Sequence, residues 1–343
     1  SWRFIMSEFK VNTITNRDGS YGPQVCGITT FGSSGLQLPS GPTEFRGGRG
    51  RGIFFGGSPA DPDTMTSVEI ATLGNGTDFG TLANNLGNCK GCASSTRGLI
   101  MGGGTPSLVN IIQGVTISNS GDVFNFGDLT EARNDNQCVA NNVRGISAGG
   151  SNPAKQTSIE FLTIASLGNG TSFGDLTIKR SMGGGSGDAT RGIIMGGGSG
   201  TNPASGEEKS IDFITIATLG DAQDFGNLAN AARTRTANLS SSTRAVVAGG
   251  YVDPSPGDTS HIDFVTIQTK SNATDFGDLT GNKEGMGGAS SEIRGLFAGG
   301  TGVINTIDFI TIASTGNAVD FGDMNTGRKN FGGFSDSHGG LSR

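Results

Sequence analysis

The chain has 343 residues, 61 of them Gly and 10 Pro, with a formal net charge of −6 and a pI near 5.0. Apolar residues come in short runs punctuated by Gly, Ser, Asn and Asp, which excludes a collagen-like or low-complexity chain and predicts many short strands joined by tight turns. Dispersed arginines on an acidic chain exclude a nucleic-acid groove, no apolar run reaches the roughly 20 residues of a membrane span, and no segment has helical apolar periodicity.

In chain order, residues 1–45 come first and share no pattern with the remainder of the chain. Ser1-Trp-Arg-Phe-Ile-Met has neither the apolar core nor the cleavage site of a secretory signal, so synthesis and retention in the cytoplasm are expected. Residues 10–31 read as two short strands around the turn at Asp18-Gly19, too small to own a core. Residues 33–42 and Arg46-Gly-Gly-Arg-Gly-Arg-Gly read as a linker. The segment from Lys10-Val-Asn-Thr-Ile-Thr-Asn-Arg-Asp-Gly-Ser-Tyr-Gly-Pro to residue 45 resembles the N-terminal arm of virion structural proteins of tailed phages that infect marine cyanobacteria. In those proteins a similar leader precedes varied domains. The resemblance implies an arm that docks the chain in a particle or joins it to further copies.

From residue 46 onward a period of about 50 residues dominates. An Arg, a short apolar run and a Gly-Gly pair recur six times, as Arg51-Gly-Ile-Phe-Phe-Gly-Gly, Arg97-Gly-Leu-Ile-Met-Gly-Gly, Arg144-Gly-Ile-Ser-Ala-Gly-Gly, Arg191-Gly-Ile-Ile-Met-Gly-Gly, Arg244-Ala-Val-Val-Ala-Gly-Gly and Arg294-Gly-Leu-Phe-Ala-Gly-Gly. Each is followed by a polar segment of variable length and an alternating run such as Ile211-Asp-Phe-Ile-Thr-Ile. A Gly-Asn type turn leads to a Phe-Gly pair, at Phe79, Phe126, Phe173, Phe225, Phe276 and Phe321. A Gly- and Ser-rich stretch then runs to the next Arg. Four short strands per repeat describe one blade of a β-propeller, whose sheet must stack on its neighbours to bury both faces. The glycine pairs are expected on the innermost strands, and the recurrent Phe between adjacent sheets, each ring worth about 1.5–3 kcal/mol on burial.

Residues 325–343 match the stretch that precedes every other Arg motif, whereas Arg51 has no such stretch before it. The C-terminal strand is therefore expected to complete the blade begun at Arg51, closing six blades over residues 46–343. An apolar triplet before Gly-Gly, at Ile193-Ile194-Met195-Gly196-Gly197, then Phe213, Phe225 and Arg233, resembles the kelch repeat, with Phe in place of the usual Tyr and Trp. The expected class is all-β: a six-bladed kelch-like β-propeller with a short N-terminal β arm.

Local motifs dissolve into this repeat. Cys89-Lys-Gly-Cys92 lies on an expected innermost strand, where a spacing of three sends the thiols to opposite faces, so neither zinc nor a redox pair is expected, and the four cysteines form no disulfide framework. Asp-Phe-Gly at Asp78, Asp224, Asp275 and Asp320 recurs with the blade, with Asn125 and Ser172 in the other two repeats, as at a structural turn. His261 and His338 fall in polar stretches and are expected in exposed loops. Arg133, Arg180, Arg233 and Arg328 follow the fourth strand and are expected to anchor turns between blades rather than to form a cationic rim. No catalytic set, cofactor or metal site is expected.

With antiparallel strands, the segment after Gly-Gly and the connection between blades emerge on one face, and the uneven length of the former marks that face for binding. Its two longest examples, residues 198–210 and 251–261, carry Asn202, Glu207, Tyr251, Asp253 and His261, polar groups around one aromatic ring that suit a carbohydrate. These features lead to the expectation of a tail or fibre component of a phage virion, assembled in the host cytoplasm as a homo-oligomer. It would bind other virion proteins through the arm and a host-surface glycan or protein through the ring, without nucleic acid or membrane insertion. A cytoplasmic kelch-type adaptor and, more remotely, a glycan hydrolase using rim carboxylates are the alternatives.

Overall fold

The computed structural model describes residues 29–30, 36–37, 50–59, 63–104, 107–200, 206–253 and 257–341. The chain divides into two compact units, Ser1–Phe45 and Arg46–Arg343. In the first, Thr29–Thr30 pairs antiparallel with Leu36–Gln37, so a strand forms where the composition suggested linker. The expected hairpin around Asp18-Gly19 lies outside the described residues.

The second unit is a six-bladed β-propeller of four-stranded antiparallel sheets. From the inside outward, blade 1 consists of Gly332–Ser335, Arg51–Phe55, Thr64–Glu69 and Thr77–Thr81. Blades 2 to 6 begin at the innermost strands Lys90–Ala93, Gln137–Ala140, Gly184–Gly187, Ala237–Ser240 and Gly287–Ser290 and continue in chain order. The strand Gly332–Ser335 pairs with Arg51–Phe55, Ile53 opposite Phe334, so the C-terminus supplies the strand that the first repeat lacks.

The sheets stack because both of their faces are apolar. Six buried clusters fill the six gaps between blades, and the last joins Leu296, Ile307 and Phe321 of blade 6 to Phe54, Val68 and Ile70 of blade 1. Each recurrent Phe lies in such a gap, with exposures of 1–4%. In blades 3 to 6 a third-strand Phe meets it edge-on, as Phe213 meets Phe225 at 5.9 Å.

Polar contacts close the ring at several radii. The Arg that opens each second strand donates from Nη1 to a carbonyl just past the third strand of the next blade. Thus Arg191 reaches Ile267 O at 2.9 Å while its guanidinium lies 4.7 Å over the Phe213 ring. The same bond runs from Arg51, Arg97, Arg144 and Arg244, and Arg294 to Ile70 O completes the circle. At the perimeter, the hairpin between the third and outermost strands of one blade covers the outer edge of the preceding blade. Asn75, Asp122, Asn169, Asp221, Asn272 and Asn317 each accept a backbone N–H from that edge. A free strand edge is a template for unwanted pairing, and here all six are occupied.

The Gly-Gly pairs end the second strands instead of lying on the innermost ones, which corrects the expectation. Gly196 and Gly197 have φ of 66° and 98°, a region that L side chains avoid, and Gly197 N–H donates to Arg233 O of the next connection. The Asp of the Asp-Phe-Gly triplets also differs from expectation, because it sits exposed within the outermost strand and not in a turn.

Candidate functional site: the loop face and the channel mouth

Backbone bridges join five of the six connections between blades to the segment after Gly-Gly, as in Asn134 with Ser151, Ser181 with Gly198 and Thr234 with Tyr251, and in the sixth Glu284 N–H donates to Thr301 Oγ1. Connections and variable loops therefore share one face. Beneath it lie the long cations of the connections, all buried. Arg133 pairs with Glu160, Arg180 with Asp212 at 3.1 Å, Arg233 with Asp263 at 3.2 Å and Lys283 with Asp308 at 2.9 Å. Each acid follows a β-bulge in the third strand, which turns the side chain under the connection. Burial pulls the Arg180 and Arg233 guanidinium pKa down, and Asp212 and Asp263 oppose that pull. Arg328 instead binds Gly56 O and Thr64 O of blade 1, at 3.1 and 2.9 Å. These cations anchor turns.

Above them, the six connections meet at the mouth of the central channel. Asn88, Asp135, Met182, Arg235, Gly285 and Asn330 occupy equivalent places, each with φ between 52° and 68°. Their backbones form a closed circuit: Asp135 N–H donates to Asn88 O, Met182 to Asp135, Arg235 to Met182, Gly285 to Arg235, Asn330 to Gly285 and Asn88 to Asn330. Five of the six are not glycine and hold the left-handed conformation at some steric cost. The circuit supplies the compensation.

The opposite end of the channel is closed by the C-terminal turn Gly339–Leu341. His338, expected in an exposed loop, is instead half-buried there. Its Nε2 lies 2.7 Å from Ala93 O and its Nδ1 accepts Gly340 N–H at 3.1 Å, which assigns the proton to Nε2. Burial pushes its pKa down. Asn142 Nδ2 fixes the end of the turn through Leu341 O at 3.1 Å. In the channel wall, Cys89 packs in the gap between blades 1 and 2, whereas Cys92 packs with Cys138 in the next gap. Burial pushes the Cys89 and Cys92 thiols up to about 12.

The residues singled out for binding are dispersed over the loop face. Asn202 lies outside the described residues. Tyr251 is half-buried in a small hairpin in which Tyr251–Val252 pairs with Gly257–Asp258, and the Arg235 guanidinium lies 6.0 Å from its ring. Asp253 is exposed at the tip. His261 opens the third strand of blade 5, its Nδ1 3.4 Å from Asp278 Oδ1, and so also lies outside a loop. Glu207 belongs to blade 4 and acts electrostatically on Lys155 of blade 3. Among the described residues no hydrogen bond or ion pair joins Glu207, Tyr251 and His261.

One mouth residue was missed. Asp135 is 6% exposed, and no hydrogen bond among the described residues reaches its carboxylate. Burial raises its pKa to about 6, against the pull of Lys90, Arg235 and Lys155. An aspartate after Asn in a connection reads as ordinary turn chemistry. Only alignment of the six repeats reveals it as the lone acid in the mouth circuit. No protein-family model and no curated protein sequence matches the chain.

Proposed function

We propose that this chain is a virion structural protein of a tailed phage, a tail or fibre component, and that its kelch-like ring binds rather than catalyses. The observation that carries the reading is the division of labour within the ring. Contacts between blades repeat around the circle, while variation gathers on the face of the post-Gly-Gly loops. A frame held by repeated contacts with one varied face suits recognition. The arm supports the virion assignment through its resemblance, over residues 10–45, to leaders of cyanobacterial phage proteins. In this reading the arm attaches the chain to other virion proteins or further copies of itself, and the ring meets a host-surface glycan or protein.

Mass spectrometry of purified particles, with a version lacking residues 1–45 alongside, tests this. The full chain should be found in particles and the shortened chain should be lost from them. A chain found only in infected cytosol, binding a partner equally well without residues 1–45, would instead identify a soluble adaptor.

A further inference from the structure

The mouth circuit closes through backbone atoms, so its side chains are not needed for closure. Five of the six positions carry no acid. The sixth holds Asp135, buried and without a hydrogen bond to its carboxylate. Burial disfavours its charge despite the pull of Lys90, Arg235 and Lys155, and no hydrogen bond of the ring uses the carboxylate. Asp135 lines a cleft of about 190 Å³ between blades 3 and 4 on the loop face. Ser181 lines the same cleft, and its hydroxyl too is buried without a hydrogen-bond partner among the described residues. A carboxylate that the ring leaves without a hydrogen bond and a buried hydroxyl thus face one cavity.

The remaining walls define what would satisfy them. Lys155 and Lys179 border the cleft with positive charge, whereas Pro153 and Met182 offer apolar surface. Asp135 needs donors, because an ionised carboxylate only accepts. A cation would meet the field of Lys90, Arg235 and Lys155. An anion would be pressed against Asp135. A neutral molecule dense in hydroxyl groups both donates and accepts, and one with a C–H face packs on Pro153 and Met182. The cleft is smaller than the roughly 300–1,000 Å³ of drug-sized sites, a size suited to a single ring. We infer that the cleft between blades 3 and 4 binds one neutral sugar ring, with Asp135 and Ser181 as the hydrogen-bonding floor.

This inference rests on the reading of the loop face as a binding face, and narrows its ligand to a saccharide. Saturation-transfer NMR on the full chain tests it with methyl glycosides of glucose, galactose and mannose, and with glucosamine and glucuronate as charged counterparts. At least one neutral glycoside should bind, more tightly than either charged sugar. Asp135→Asn, which keeps the shape, should weaken binding at least tenfold, while Asp320→Asn, on the exposed outermost strand of blade 6, should not. Equal binding by Asp135→Asn would place the sugar elsewhere and overturn the inference while leaving the display reading intact. Preference for a charged sugar, or binding of none of the panel, would overturn it as well. Particle association, measured separately, decides the display reading.

Discussion

Two circuits run around this ring, one at the perimeter and one at the channel mouth, and they are built on opposite principles. At the perimeter the side chain makes the bond, and only Asn or Asp occurs at the six positions, Asn75, Asp122, Asn169, Asp221, Asn272 and Asn317. Hydrogen bonds from Thr81 also hold the Asp122 carboxyl below the usual carboxylate range. At the mouth the backbone makes the bond, and the side chains range from Gly285 through Met182 to Arg235. Where a side chain closes the ring its chemistry is restricted. Where the backbone closes it, the side chain is released for other work.

Substitutions can break this contrast. The largest effect is expected between the circuits, at the buried cations. Arg180→Ala strands Asp212 without its partner and should cost about 3–5 kcal/mol in urea unfolding. Blade 2 carries the uncharged residues Leu86 and Gln113 at the corresponding places, so Arg180→Leu combined with Asp212→Gln should recover most of that loss. At the far end of the channel, His338→Ala removes two hydrogen bonds and should cost about 1–3 kcal/mol. Because burial lowers the native pKa of His338, the unfolded chain takes up the proton first. The contribution of His338 is complete above the unfolded value of about 6.5 and declines as pH falls through the native value. Thermal melts between pH 8 and 5 should show this decline in the wild type and a smaller one in His338→Ala.

Smaller effects sharpen the contrast itself. Asn169→Ala removes a side-chain acceptor from the perimeter and should cost about 0.5–1.5 kcal/mol in urea unfolding. Met182→Gly, at a mouth position with φ of 61°, keeps the backbone bond and relieves the left-handed strain. Its stability should stay within about 1 kcal/mol of wild type, because the greater freedom of unfolded glycine offsets the gain. A mouth substitution as costly as the perimeter one would erase the distinction.

The repeat made the ring legible. Period, blade count, the interleaved Phe and the closing C-terminal strand all emerge from local patterns compared along the chain. The third-strand acids were harder to place. Alternation puts Asp212 opposite Ile211 and Phe213, a place that would face solvent in a half-exposed sheet, but a propeller sheet is covered on both sides. The signal lay in comparing repeats, since Glu160, Asp212, Asp263 and Asp308 occur where the connection carries Arg or Lys, and Gln113 occurs where it carries Leu86. The mouth circuit was hidden because five of its bonds join residues about one repeat apart and the sixth joins Asn88 to Asn330, and Met182 and Arg235 do not advertise a left-handed backbone. The partial burial of His338 depends on the chain turning back across the channel. Loop length alone drew attention to Tyr251 and His261, and overlooked Asp135, whose isolation appears only when its neighbours in space are known.

The separation of closure from side-chain chemistry at the mouth is tested most directly by the stability of Asp135→Asn against pH. In the native ring Asp135 holds its proton up to about 6, compared with 3.8 for the ordinary value, so the folded state binds more protons between these limits. Stability therefore falls as pH rises through that window, by about 3 kcal/mol in total, and the full penalty is present at pH 8. Urea unfolding at pH 8 should find Asp135→Asn more stable than wild type by up to about 3 kcal/mol, with the gain shrinking toward pH 4. A variant less stable than wild type at pH 8 would show that the carboxylate helps to hold the ring together, and would contradict its release for binding.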